Sequence, residues 1–313
     1  MSSTSATDQE AIIRPRIAVN PEQVAPNLEP KTTKSSGKSS HSKSRSRSKT
    51  TTDGSKTTKT TSTTSSGFAA LAFENGNLDD SRARINRSRR TTSPPENAYR
   101  AYVHAVQTAP NEDSMIHIST KLLKDFDDNL QYTKVYNQGF NSFPADVGFN
   151  NGLSVPKPDL VEALQHPAFR PFPIKAELGG AAVLIDDPDS MTLPHLAGEW
   201  KGRGKDMEEA RTQSAYSGAA LMYGRNEALA YLDTPDPPGY AAVSTFTIDG
   251  TNINFFSHYA APSGVEDEKL DYHQYPITFT NLVNSFEEFK RGRKQLRNLQ
   301  ETPGTSRTLC EIG

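Results

Sequence analysis

Three residues of this 313-residue chain have the types and spacing of a hydrolytic site: Asp159, directly after Pro158, and Glu199 and Lys201, which flank Trp200. Side chains two apart on a strand point to one face, so Glu199 and Lys201 project together while Trp200 enters the opposite layer. If a strand opening at Asp159 lies beside them, Asp159 and Glu199 converge into a carboxylate pair, hard-oxygen ligands suited to Mg²⁺, with Mn²⁺ as a substitute. Such a metal would neutralise a phosphodiester oxygen and lower the pKa of a bound water. The Lys201 ammonium would orient that water and stabilise charge developing on phosphorus. The chemistry expected is metal-assisted hydrolysis of a nucleic-acid backbone.

The elements that must position these groups are read from periodicity. Met115, Ile118, Leu122, Phe126 and Leu130 recur at helical steps from Asp113 onward. Residues 137–156, rich in Asn, Gly, Phe and Pro, read as a long loop, and Asp159–Leu164 as a strand launched by Pro156 and Pro158. The apolar run Ala181–Ile185 precedes a turn at Asp186–Asp189, and Leu193–Lys201 reads as a central strand ending in charge. A helix is expected from about Asp206 to Met222, carrying Gln213 and Tyr216, with Ala210, Ser214, Ser217 and Gly218 forming a small-sided face for close packing on a sheet. Residues 228–232 and 241–260 read as strands, with Asp249-Gly250 as a hairpin turn. A last helix, about Asn281–Gln300, buries Leu282, Phe286, Phe289, Leu296 and Leu299 and gathers Lys290, Arg293, Lys294 and Arg297 on a neighbouring face that would hold phosphates at the rim of the site. Asp189, in the Pro188-Asp189 pair, is a rival ligand; Asp159 is preferred because it opens an apolar strand, whereas Asp189 sits among turn formers.

Other chemistries find less support. The histidines show no paired spacing for zinc, and His195 reads as a packed or surface residue. Gly202-Arg203-Gly204 lacks the Lys-Ser ending of a phosphate-cradling loop, so no small-molecule cofactor is expected. The single Cys, Cys310, cannot close an intrachain disulfide, which fits a reducing, intracellular compartment. No apolar run is long enough to span a bilayer, and no membrane partner is expected.

The net charge of −2 averages two unlike parts. Residues 1–100 hold 17 Lys and Arg against 9 Asp and Glu, whereas residues 101–313 hold 18 against 28. Only 34% of the chain is hydrophobic, against roughly 45–50% for a globular domain, so part of it should be disordered. The Ser/Thr-rich, Lys-studded tract over 31–66 and the Arg82–Arg90 patch mark residues 1–95 as a disordered basic tail. Its clusters match nuclear-import signals or nucleic-acid tethers, and its hydroxyls offer phosphorylation sites that would cancel the charge. The turn at Ser93–Pro95 is read as the edge of one folded domain.

The order of helix, Pro-Asp strand, Glu-x-Lys strand, helix and strand resembles the PD-(D/E)xK nuclease superfamily, the restriction-endonuclease-like fold. Residues from about 96 to 300 also resemble a group of uncharacterised fungal proteins carrying a nuclease-like domain of that type. There a Pro-x-Pro-Asp strand precedes a Glu-x-Lys strand, and a terminal segment is similar to Phe286–Gln300. The resemblance implies an α/β core of a helix, a mixed sheet of about four to six strands and a helix, at 96–303, with 304–313 a flexible C-terminus. It makes Asp159 and Glu199 metal ligands and Lys201 catalytic, with Gln213 in support, and it calls for a further acid on the first helix, for which Glu112, Asp113, Asp125 and Asp128 compete. The function implied is a Mg²⁺-dependent nuclease acting on DNA or RNA. The alternative is a catalytically inactive, nuclease-derived module that binds nucleic acid or protein.

Overall fold

The computed structural model describes residues 77–126, 132–165, 191–264 and 269–301, with the backbone of 16–17, 178 and 181. It is an α/β fold built on a mixed sheet. The six long strands are β1 (Tyr132–Tyr136), β2 (Leu160–Gln165), β3 (Met191–Trp200), β4 (Val243–Ile248), β5 (Asn252–Pro262) and β6 (Leu270–Asn281). They lie side by side in chain order, and the two-residue strand Arg16–Ile17 pairs parallel with the outer edge of β6. All neighbours among the six are antiparallel except β3 and β4, which are parallel. A parallel pair needs a crossover, and the helix Met207–Tyr231 supplies it.

The α-helices among the described residues are α1 (Asn77–Asn86), α2 (Glu96–Thr108), α3 (Glu112–Ser119), α4 (Met207–Tyr231) and α5 (Phe286–Gln300). None among the described residues is long and apolar enough to cross a membrane. Strand alternation divides the core into two layers. Leu160, Leu196, Trp200, Phe246 and Ile248 face the layer of α1, α2, α3 and α5, together with Ile85, Tyr102, Met115 and Leu296. Val161, Ala197 and Val243 face α4 and the aromatic loop 137–156, through Phe140, Phe143, Phe149 and the Ala219–Met222 stretch. β3 is buried along all ten residues, as a central strand covered on both faces must be.

α4 begins where Asp206 caps it, accepting a hydrogen bond from the Glu208 N–H at 2.9 Å, with Glu208 and Glu209 favourably placed in the positive first turn. Its small residues let it settle closely on the sheet: a Cβ on Gly218 would stand 2.1 Å from the His258 ring. The hairpin β4–β5 turns at Asp249-Gly250 as its sequence requires. Gly250 has φ +82, the Asp249 carboxylate accepts from the N–H groups of Thr251 and Asn252, and the Tyr102 hydroxyl of α2 donates to the Gly250 carbonyl at 2.7 Å.

Several expected boundaries move. Residues 77–86, placed by composition in the tail, form α1, with Leu78 and Ile85 fully buried and Asn298 of α5 donating to the Ile85 carbonyl at 2.9 Å. The folded body therefore begins before Ser93–Pro95. The helix expected from Asp113 through Leu130 stops at Ser119, with a 3₁₀ turn over Thr120–Leu122, and α2 precedes it. Residues 228–231, within the segment read as a strand, continue α4, because Ala228 and Leu229 keep its buried face; the helix ends at Tyr231 with Leu232 as its cap, and Asp233, with φ +53, turns the chain away. The last helix starts at Phe286 with Ser285 as its cap, since residues up to Asn281 are taken by β6 and Leu282 fills the turn between them. Residues 1–15, 18–76 and 302–313, most of Ala181–Ile185, and Asp128, Leu130 and Asp189 lie outside the described residues.

Candidate active site

The site lies where β2 begins and β3 ends. Leu160 pairs with Gly198 in the antiparallel register, so one step further Asp159 lies opposite Glu199. Both belong to the face that α4 covers. The backbone locks the pair from each side: the Asp159 carboxylate accepts the Trp200 N–H at 2.7 Å, and the Asp159 backbone N–H supports the Glu199 carboxyl. The Asn137 N–H donates to the Asp159 carbonyl at 3.0 Å, so the long loop returns to the same point and fixes the start of β2.

Glu199 is 4% exposed, and burial, then the neighbouring charge of Asp159, pushes its carboxyl up to about 8. The Ser217 hydroxyl donates to its Oε1 at 3.0 Å, and this bond and Lys201 act in the opposite direction. Asp159 is also raised, by burial first; the Trp200 N–H lowers it, the charge of Glu112 raises it, and Lys201 and Lys157 lower it. Lys201, 9% exposed, donates its backbone N–H to the Ile248 carbonyl at 2.9 Å, which pins the exit of β3 to β4. Its Nζ lies 3.6 Å from Glu209 Oε1 in the first turn of α4.

Among the competing acids, Glu112 is the one that reaches this corner. It opens α3, and its Oε2 accepts the Gly202 N–H at 3.0 Å, just beyond Lys201. Asp113 is exposed, and Asp125 pairs with Lys134 on β1. The support expected from Gln213 comes instead from Ser217, one turn later on the same stripe of α4; Gln213 is exposed and makes no hydrogen bond among the described residues. Spacing alone left the residue that would touch Glu199 unsettled, although Ser217 already belonged to the small-sided face.

No protein-family model, curated protein or solved structure matches the chain.

The donor set fits a hard cation held by two carboxylates. Among the described residues no three His, Cys, Asp or Glu side chains gather as a ligand group, but Mg²⁺ is commonly held by one or two carboxylates with waters filling the rest of its shell. Glu199 is buried and Asp159 half-buried, and the charge of Asp159 raises the proton affinity of Glu199, so the ionised state of the pair is one that a cation would stabilise.

The basic face of α5 does not rim this site. Leu296 and Leu299 of that helix pack into the opposite layer, so Lys290, Arg293, Lys294 and Arg297 lie across the sheet from Glu199. Arg297 is also occupied structurally, donating to the carbonyls of Leu122 and Leu123 at 2.9 and 2.8 Å. His195 packs in the core at 4% exposure with its ring edge-on to Tyr132, and burial holds it down near 4, therefore neutral. A second buried acid, Glu162, lies on the α5 face, receiving hydrogen bonds from the Tyr132 hydroxyl and from Gln300 Nε2. Burial pushes it up to about 7.

Proposed function

We propose that the chain is a metal-dependent nuclease-like hydrolase on a restriction-endonuclease-like core, cleaving phosphodiester bonds in DNA or RNA at Asp159, Glu199 and Lys201. The observation that carries this reading is the bond from the Trp200 N–H to the Asp159 carboxylate. Trp200 lies between Glu199 and Lys201, so that single bond draws the acid of one strand to the acid and base of the next. The element order around it, with helices, an antiparallel run of strands, the crossover helix α4 and a parallel strand β4, supports the same reading.

Asp159 and Glu199 would hold Mg²⁺, which when bound supplies charge neutralisation at a phosphate oxygen and a more acidic water. Lys201, held at the exit of β3, is positioned to donate hydrogen bonds to a phosphate oxygen and to orient a water. Ser217 holds one oxygen of Glu199 and leaves the carboxylate's remaining acceptor capacity for a cation. Glu112 fixes the Gly202 turn and with it the direction of the Lys201 backbone.

The test is plasmid nicking by the full chain with Mg²⁺ and with EDTA, beside Lys201→Ala. Nicking with Mg²⁺ alone is expected, abolished in Lys201→Ala with a nearly unchanged melting temperature, since the 3.6 Å contact to an exposed Glu209 adds little. Nicking that survives the substitution overturns the assignment. Metal binding without nicking would leave the inactive, nucleic-acid-binding or protein-interaction module.

A further inference from the structure

A basic cleft lies on the other side of the sheet from Glu199, between α5 and the segment that links α1 to α2. Its volume is about 470 Å³. One wall is Arg89 with the hydroxyls of Thr91, Thr92 and Ser93; the other is the stripe Lys290, Arg293, Lys294 and Arg297, spaced three and four residues apart on α5.

The cations of this cleft are only partly neutralised. Lys290 and Arg291 pair with Glu287 and Glu288, their neighbours one turn earlier. Among the described residues no carboxylate pairs with Arg293, Lys294 or Arg297, and Arg293 and Lys294 make no hydrogen bond. The Arg89 side chain is 8% exposed; it pairs with Glu301 and donates to Asn298 at 3.0 Å, but its Nε is buried with no acceptor. A buried donor without a partner is costly, and such donors commonly mark a missing water or ion. The crowding of like charge has a measurable sign: burial, then Arg89, depresses Arg293, and burial, then Arg293 and Arg89, brings Arg297 down to about 10.

We propose that this cleft binds a discrete phosphate group, a phosphate monoester or a pyrophosphate carried by a small molecule, held by Arg89, Arg293 and Lys294 with the Thr92 hydroxyl. Guanidinium forks match phosphate oxygens in pairs, and a compact dianion satisfies several donors at once. A nucleic-acid backbone fits less well. Glu287 and Glu288 also line the cleft, and a strand lying at Glu199 would have to cross the sheet to reach it. The inference is independent of any activity at Glu199.

Titration of the full chain with inorganic phosphate and with pyrophosphate, at ionic strength held constant with chloride, tests it by calorimetry. Saturable 1:1 binding is expected, weakened about tenfold or more in the double variant Arg293→Ala and Lys294→Ala, as loss of charge-assisted hydrogen bonds requires. Both residues are half-exposed and unbonded, so the variant should fold, and an unchanged circular dichroism melt verifies this. Absence of binding beyond chloride overturns the proposal, as does binding that the double variant retains. Displacement of phosphate by duplex DNA at equal phosphate concentration would also overturn it, since the cleft would then be a backbone contact.

Discussion

Replacing Glu199 with Gln removes an ionisation that the folded state resists and leaves the shape of the site in place. The Glu199 carboxyl lies near 8 when folded and near 4.5 when exposed. A raised carboxyl stabilises the fold fully below its unfolded pKa, and this contribution disappears as pH rises through the folded value. At about 1.4 kcal/mol per pH unit, the wild-type chain should lose about 2 kcal/mol between pH 6 and pH 8 through this group alone. For a domain of this size that is a fall in melting temperature of roughly 4–8 °C relative to Glu199→Gln. Other groups titrate nearby. His195 and His273, both held near 4, remove stability as pH falls below about 6.5, and Glu162, near 7, acts in the same direction as Glu199. They are common to both proteins, so the difference between the two melting curves, followed by circular dichroism from pH 5 to pH 9, isolates Glu199. Addition of 10 mM Mg²⁺, a concentration on the order of those that saturate carboxylate sites, should raise the wild-type melting temperature more at pH 8 than at pH 5.5, because the ligand must be deprotonated. A difference curve flat from pH 6 to pH 8 would refute the placement of Glu199 as a buried carboxyl coupled to Asp159. A Mg²⁺ shift equally large in Glu199→Gln would refute its role as a ligand.

Ser217→Ala removes a bond that favours the ionised Glu199, so the pH dependence of Mg²⁺-stimulated nicking should move about one unit to the alkaline side; a profile left in place would separate Ser217 from the site. Gly218→Ala places a methyl 2.1 Å from the His258 ring and should lower stability by about 1–3 kcal/mol in a urea melt. Glu162→Gln, on the opposite face, should flatten the stability profile between about pH 4.5 and pH 7 while leaving nicking unchanged.

The strands that position Asp159, Glu199 and Lys201 were legible because their signals are local. Pro156 and Pro158 announce β2, the alternation of Glu199 and Lys201 about Trp200 assigns faces, and Asp249-Gly250 dictates a turn. What stayed hidden depends on partners distant in sequence. β6 carries Pro276 and a register shift opposite Phe255 and Phe256, so its alternation is broken and its pairing with β5 supplies what its own pattern lacks. α1 looked like tail because the Arg82–Arg90 patch begins within it; it is held by the buried apolar side chains of Leu78 and Ile85 and by Arg82 against Tyr275, 193 residues away. The first-helix acid could not be chosen by spacing, since Glu112 and Asp113 are neighbours in the same first turn and only the packing of that helix decides which one faces Gly202. The basic stripe on α5 was correct as a stripe and wrong as a neighbour of Glu199, because which layer a helix joins is decided by topology.

The close seat of α4 makes acidity at the site a function of a packing distance. Ser217 can reach Glu199 only while its neighbour Gly218 lies flat against His258. Any side chain that lifts the helix would lengthen that hydroxyl bond and make the carboxyl harder to ionise. A substitution among the smallest residues of the helix would therefore register as a change in working pH as well as a loss of stability, and the glycine acts as a spacer that calibrates a proton.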